Sequence, residues 1–356
     1  MNKTVPHNRL TFGEAECEAV LRTVRSGQWA QGPRVEELES ELARLGGVQY
    51  AVCVASGLAA IRLTLGALGL RSGDSVFVPG YSCVALANAV LAWGATPVPI
   101  EVDATSWNIE PGECLRRIVA SWPRAVIAVN TFGAPAPIEE IISSGVPVVE
   151  DCAHGFGIQV NGRSLGSRAL AGVLSFHATK LIGGGEGGAI LTNSAEIAKF
   201  VSLARNYGDQ PADAHRMNDK MNELEASIIL AQLKRLPEMI AARARLASRY
   251  LERLADSLPR DVSQLPADGI QRVWYRFAVE MVGVSAEKVV SDLRGFGIDA
   301  AKPVTDWRPI NSPAAPVADK AYGALVSLPL YPTLTQEEQD VVIEAFVKLC
   351  GVYAGG

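Results

Sequence analysis

The stretch AGVLSFHATKLIGGGEGGAILT (171–192) decides the fold, because two short apolar runs in it flank a lysine and a glycine-rich turn. Both runs, AGVLSF (171–176) and GGAILT (187–192), are apolar on both faces, the pattern of strands buried under helices in a mostly parallel sheet. Working outward, five more runs of this kind precede them: YAVCVA (50–55), SVFVPG (75–80), TPVPIEV (96–102), RAVIAVN (124–130) and VPVVED (146–151). Helix-like segments fill the intervals. After the first run, Leu58, Ile61, Leu65 and Leu68 stand at helical spacing, and the pattern stops near Gly69. Seven strands alternating with helices predict an α/β chain built on a mostly parallel seven-stranded sheet flanked by helices.

The C-terminal third reads differently. Two helical patterns, Met221–Leu236 and Glu238–Leu258, are separated by Pro237, which suits the first turn of a new helix. A domain boundary is placed there: residues 1–237 form a large domain, whose N-terminal segment is free to pack on the other, and 238–356 a smaller α+β domain. In the latter a strand-like run, RVWYRFAVEMVG (272–283), precedes a helix over Ser285–Gly295, a Pro-rich loop and a closing helix over Gln336–Leu349.

Composition narrows the function. Of 356 residues, 48% are hydrophobic and 20% charged, the balance of a chain that folds into a packed core. A net charge of -5 with no dense run of Lys or Arg argues against nucleic acid as a partner. The opening residues, MNKTVPHNRLTF, are polar where a secretory leader is apolar, and no apolar run reaches membrane-spanning length, so a cytoplasmic protein is expected. The six cysteines lack paired spacing, which indicates neither a zinc site nor a disulfide framework.

The chemistry gathers at three strand ends: Ser56-Gly57-Leu58, Glu150-Asp151, and the run from Ser175 to Lys180. Carboxyl ends of strands are where such sheets bind ligands. A pyridoxal-phosphate (PLP) enzyme needs a lysine to hold the aldehyde as a Schiff base and then to carry a proton, and Lys180 is the candidate. It needs a carboxylate that keeps the pyridine nitrogen protonated, for which Asp151 is placed. It needs phosphate donors, which the helix N-terminus at Gly57 and the hydroxyls of Ser56 and Ser175 supply. The GGGEGG run (183–188) follows the lysine instead of opening a helix and has no Walker lysine–hydroxyl pair, so it reads as backbone permissiveness near the site, with Glu186 of open role. His177 reads as structural and Cys83 as a packing residue.

Taken together these segments resemble the DegT-type sugar aminotransferases of the fold-type I, aspartate aminotransferase-like PLP superfamily. The resemblance runs from about Gly27 to Gly351. It rests on GQWAQGPRVEELESELA (27–43), VASGLAAIRLTLGALGLRSGDSVFVPGYSCVALANAVLAWGATPVPIEVD (54–103), EDCAHGFG (150–157), NGRSLGS (161–167), SFHATKLIGGGEGGAILT (175–192), RNYG (205–208) and NDKMNELEASIILAQL (218–233). It implies that Lys180 is the Schiff-base lysine, Asp151 the partner of the pyridine nitrogen, and Ser56, Gly57 and Leu58 the counterpart of a phosphate-binding Ser-Gly-Thr. It further implies a phosphate contact from Ser175, a place near the cofactor's phenolic oxygen for His154, and a reach by Asn218 to the neighbouring subunit's phosphate, hence a homodimer with shared sites. Two positions depart from the pattern. Leu58 replaces a threonine and removes a hydroxyl, and Cys83 replaces an aromatic ring stacked on the pyridine, a role left open to a residue such as Tyr81.

The same resemblance implies L-glutamate as amino donor and a keto-sugar as acceptor, first of all a nucleotide-linked 4-keto sugar, with 3-keto sugars and keto-cyclitols left open. Trp29 falls in a loop that approaches substrate or serves as a hydrophobic anchor. A diphosphate substrate needs cations, for which Lys302, Arg308 and Arg205 are candidates. Two other classes stay on the table: a sugar dehydratase of the same fold, in which His replaces the lysine, and a non-enzymatic sensor or scaffold.

Overall fold

The computed structural model describes residues 4–208, 216–259, 261–266, 271–309, 312 and 314–355. Its strands are β1 (Tyr50–Val54), β2 (Ser75–Pro79), β3 (Thr96–Ile100), β4 (Ala125–Val129), β5 (Val148–Asp151), β6 (Gln159–Val160), β7 (Arg163–Ser164), β8 (Ala171–Ser175), β9 (Gly188–Thr192), β10 (Ser263–Gln264), β11 (Phe277–Met281) and β12 (Leu325–Leu328). Its α-helices are α1 (Glu14–Ser26), α2 (Pro33–Gly46), α3 (Gly57–Ala67), α4 (Val84–Leu91), α5 (Pro111–Ser121), α6 (Ile138–Ile142), α7 (Ala195–Ala204), α8 (Glu223–Leu233), α9 (Leu236–Ala255), α10 (Ala286–Gly295), α11 (Pro316–Ala324) and α12 (Gln336–Ala354).

The seven strands read from the sequence form one sheet in the order β1-β9-β8-β5-β4-β2-β3. All neighbours pair in parallel except β9, which runs against both β8 and β1. Alternate side chains explain why these runs are apolar throughout. One set, including Val54, Val78, Ile127, Val149, Val173 and Ile190, packs with Leu63 of α3, Val90 of α4 and Val201 of α7. On the opposite face Cys53, Leu174 and Leu191 meet Leu38 of α2 and Ile229 of α8, while Phe77, Val126 and Val148 meet Ile118 of α5 and Ile141 of α6. Each fully buried Leu or Ile contributes on the order of 1.5–3 kcal/mol relative to exposure. The layers therefore clamp the sheet from both sides and leave its ends as the place for ligands.

A second core lies under the C-terminal elements, where Tyr250, Phe277, Leu293, Leu328 and Phe346 cluster. Its sheet has the order β10-β11-β12. The N-terminal segment joins this core: Val5 is buried in it and exchanges backbone hydrogen bonds with Gly297 and Asp299, both at 2.9 Å. Pro237 falls in the first turn of α9, as its fixed φ favours. The run expected as a strand over 272–283 is a strand only over Phe277–Met281, and Arg272–Arg276 leave the ladder, while β12 was not foreseen. Among the described residues no helix is long and apolar enough to cross a membrane.

Candidate active site

The parallel strands and β1 all point the same way, so their carboxyl ends share one edge of the sheet. There Val54 of β1 and Ser175 of β8 both pair with Gly188 of the intervening β9. A Cβ on Gly188 would stand 2.4 Å from the Ser56 carbonyl oxygen, and one on Gly57 would stand 2.8 Å from Ser175 Cβ. Glycine at both positions thus lets the start of α3 and the end of β8 close on each other. Ser56 caps α3, its Oγ accepting the Ala59 N–H at 3.1 Å, and its own hydroxyl hydrogen remains available to an anion at that helix end.

Asp151 is the last residue of β5 and only 3% exposed. Its Oδ1 accepts the Ala153 N–H at 2.8 Å. Burial raises its pKa, the Ala153 N–H and Lys180 pull it back, and neighbouring Glu150 adds to the rise. The two carboxylates are treated differently. Fully buried Glu150 accepts from Arg168 at 2.8 and 3.0 Å, from Asn130 at 3.1 Å and from the Gly166 N–H at 2.9 Å. No Lys, Arg or His among the described residues lies within ion-pairing distance of Asp151. A buried carboxylate with that surrounding favours a cation delivered from the cavity.

Lys180 ends the tight turn after β8, its N–H donating to the His177 carbonyl at 2.8 Å, and its Nζ lies 5.1 Å from the centroid of the Tyr275 ring. His154 stacks on this aromatic group: its ring is 4.3 Å from Tyr275 at 14° and 6.0 Å from Phe132. Burial, then Lys180 and Arg276, hold the His154 pKa well below its ordinary value. The Phe132 N–H donates to Nδ1 at 3.4 Å, so the neutral ring carries its proton on Nε2.

Tyr275 and Arg276 reach the cavity by a close backbone contact. Gly133 has φ +88°, and a Cβ there would fall 1.8 Å from the Val273 carbonyl oxygen, which only glycine permits. Val273 N–H donates to Gly133 O at 3.1 Å, and buried Arg243 donates to the carbonyls of Tyr275 and Leu330 at 3.0 and 2.8 Å. Burial would raise the Tyr275 phenol, but Lys180, Arg276, the Thr179 hydrogen bond and Arg243 bring it down to about 8.

One cavity of 390 Å³ is lined by Ser56, Gly57, Leu58, Cys83, Asp151, His154, Ser175, Lys180 and Glu186, and also by Tyr81, His177, Tyr275 and Arg276. Cys83, expected as packing, is exposed there because it sits at the start of α4 and not in its buried face. His177, read as structural, stands exposed at the rim, 2.9 Å from Thr179 Oγ1 and 4.0 Å from Glu186. Tyr81 is buried against Tyr322 and Phe132, and its hydroxyl has no hydrogen-bond partner among the described residues.

Several expected residues lie elsewhere. Asn218 is exposed and outside this cavity. Trp29 is 55% exposed, its indole N–H donating to Val24 O at 3.2 Å. The three cations considered for a diphosphate all have acidic partners and lie outside the cavity lining: Lys302 pairs with Glu287, Arg308 is forked between Asp306 and Asp319, both at 2.7 Å, and buried Arg205 is held by Glu39 and the Cys53 carbonyl. Tyr275 and Arg276 were missed, since their run read as a strand.

The residues present fit pyridoxal phosphate. The glycine-tightened N-terminus of α3 with the Ser56 and Ser175 hydroxyls suits its phosphate, the buried Asp151 carboxylate, which has no cationic partner at ion-pairing distance among the described residues, its ring nitrogen, and Lys180 its aldehyde. Leu58 offers only its backbone N–H.

The DegT/DnrJ/EryC1/StrS aminotransferase family matches residues 11–347. Among solved structures, the aminotransferase TlmJ from Streptoalloteichus hindustanus is similar with a TM-score of 0.89 and 29% identity, over 99% of this chain and 100% of that one. DesV of S. venezuelae, solved in complex with a ketimine intermediate, is 30% identical with a TM-score of 0.84 over 94% of each chain. DesI, solved in the presence of its TDP-sugar product, is 26% identical with a TM-score of 0.87, over 99% of this chain and 96% of that one.

Proposed function

The chain belongs to the DegT/DnrJ/EryC1/StrS aminotransferase family, whose members depend on pyridoxal phosphate, and on that premise we propose that it moves an amino group from L-glutamate to a nucleotide-linked 4-keto sugar. The observation that carries the reading is the pair of Lys180 and an Asp151 without a cationic partner at ion-pairing distance among the described residues, around one cavity. When bound, the cofactor supplies an electron-poor ring that delocalises the negative charge left as a proton departs from the substrate. The chain's own residues do the rest. Lys180 Nζ takes the proton from the donor's α-carbon and, in the second half of the cycle, returns a proton to the sugar carbon that gains nitrogen. Asp151 keeps the ring nitrogen protonated, while Ser56, Ser175 and the start of α3 anchor the phosphate. His154, neutral with a proton on Nε2, would be the donor to the cofactor's phenolic oxygen.

A sugar-nucleotide acceptor is supported by the similarity to DesI, solved with its TDP-sugar product, and the 4-keto position is what the resemblance of the SFHATK run with EGG downstream implies, on a core that 3-keto sugar and cyclitol aminotransferases share. Asn218, exposed outside its own chain's cavity, would serve the phosphate of a second copy, which makes the working unit a homodimer in amino-sugar biosynthesis. The test is a screen of the holo protein with L-glutamate over keto-sugar nucleotides, the aminated carbon located by NMR. Nitrogen at C4 is expected. Nitrogen at C3 or on a cyclitol would replace the acceptor, and a deoxygenated product without nitrogen would replace the transaminase by a dehydratase.

A further inference from the structure

Arg276 faces the cavity beside Lys180, yet no carboxylate of the described residues lies within ion-pairing distance of it. This sets it apart from Arg205, Lys302 and Arg308, each of which has an acidic partner. Its hydrogen-bond partner is His7, whose Nε2 lies 3.0 Å from Nη1. That ring is neutral: burial, then Arg276 and Arg243, push its pKa down to about 3. A guanidinium has five N–H donors in a planar fork, and one uncharged partner leaves most of them, and all of the charge, uncompensated. Arg276 lies 5.0 Å from the centroid of the Tyr275 ring, the ring that Lys180 Nζ approaches to 5.1 Å, so both cations surround one side chain. The segment is held from behind by Arg243, which donates to the Tyr275 carbonyl.

We infer that Arg276 holds the α-carboxylate of the amino donor, which makes it the residue that selects an α-amino acid over a simple amine. The inference rests on the transaminase reading and adds to it the group that reads the donor. The choice of anion follows from connectivity. An α-carboxylate is bonded to the very carbon that gives its proton to Lys180, so its receptor must stand next to Lys180. The diphosphate of a 4-keto sugar nucleotide is attached at C1, across the ring from the reacting carbon. Two parallel N–H donors match two carboxylate oxygens, an arrangement stronger than a neutral hydrogen bond.

The test uses the holo protein and the variants Arg276→Gln and Arg276→Lys. Binding of glutarate, which has two carboxylates and no amine, is measured by calorimetry. Bleaching of the cofactor's visible band is followed with L-glutamate and with 4-aminobutyrate, the same chain without its α-carboxylate, and the sugar-nucleotide KM is measured separately. In Arg276→Gln, glutarate and L-glutamate should each bind roughly 10- to 100-fold more weakly. The preference for L-glutamate over 4-aminobutyrate should largely vanish, and the sugar KM should stay within about twofold. Arg276→Lys, which keeps charge but not the fork, should recover part of the loss, and it carries the test should the Gln variant fail to retain cofactor. Unchanged glutarate binding in Arg276→Lys, or a loss confined to the sugar KM, would overturn the assignment. A wild type that binds glutarate through Arg276 but is not bleached by L-glutamate would sink the transaminase reading and leave the carboxylate site standing.

Discussion

Asp151, Ser56 and Ser175 stand on or beside strand ends whose neighbours are fixed by ladder pairing, whereas Tyr275 and Arg276 reach the same cavity from a segment with no strand of its own. The first wall is held by the sheet and by glycines at positions 57 and 188, the second by the Gly133–Val273 contact and by Arg243. The difference teaches that the wall proposed to hold the cofactor is a property of the large sheet, while the wall proposed to read the donor depends on the docking of distant chain. Damage to the first should abolish chemistry. Damage to the second should change affinity, selectivity and stability while cofactor is still bound.

The largest separation is expected from Asp151→Asn, which should lower turnover about 10²- to 10⁴-fold, the range of an essential proton-holding group. In the cofactor-free protein the same change should not destabilise. Burial raises the Asp151 pKa, so the folded chain holds that proton to higher pH than the unfolded chain does, and stability falls as pH rises through the interval between the two values. Thermal melts of the cofactor-free variant should show that fall diminished, and a deeper fall would contradict the account. Gly133→Ala strikes the other wall. A left-handed backbone costs a residue with a Cβ about 1–2 kcal/mol, and the contact with Val273 O adds to it. The midpoint of unfolding should drop by several degrees and donor affinity should weaken, with the cofactor's absorbance retained.

Tyr275→Phe is milder, a few-fold in turnover, and is best read by titration. The folded phenol ionises near 8, below its ordinary value of 10, so the native state releases this proton first. Its contribution to stability therefore appears as pH rises above about 8 and is complete above 10. Ultraviolet difference spectra of the cofactor-free protein should show one early tyrosinate, absent from the variant. The smallest effect belongs to Leu58→Thr, which adds a hydroxyl at the start of α3. One added hydrogen bond of about 1 kcal/mol should tighten cofactor binding by roughly fivefold.

The same division governs what the sequence discloses. Each of the seven large-sheet strands is flanked by its own turn and is apolar on both faces, so TPVPIEV or VPVVED announces itself within a few residues, and the candidate chemistry stands at a strand end or at most five positions beyond it, as Lys180 does after Ser175. RVWYRFAVEMVG gave a strand signal along its whole length, but its first half is shaped by Gly133, about 140 residues away, and by Arg243. β12 is four residues long and follows α11 directly, too short for a period to show. The candidate cations show a further limit: a sequence displays charge but not counter-charge, and Glu39, Glu287, Asp306 and Asp319 meet Arg205, Lys302 and Arg308 only once the chain is folded.

The account depends most on which amine captures the cofactor. Holo protein reduced with borohydride and digested should carry the cofactor's added mass on the peptide containing Lys180, and Lys180→Ala should carry none there and turn over no substrate. An unmodified Lys180 peptide, with the label on another lysine, would contradict it.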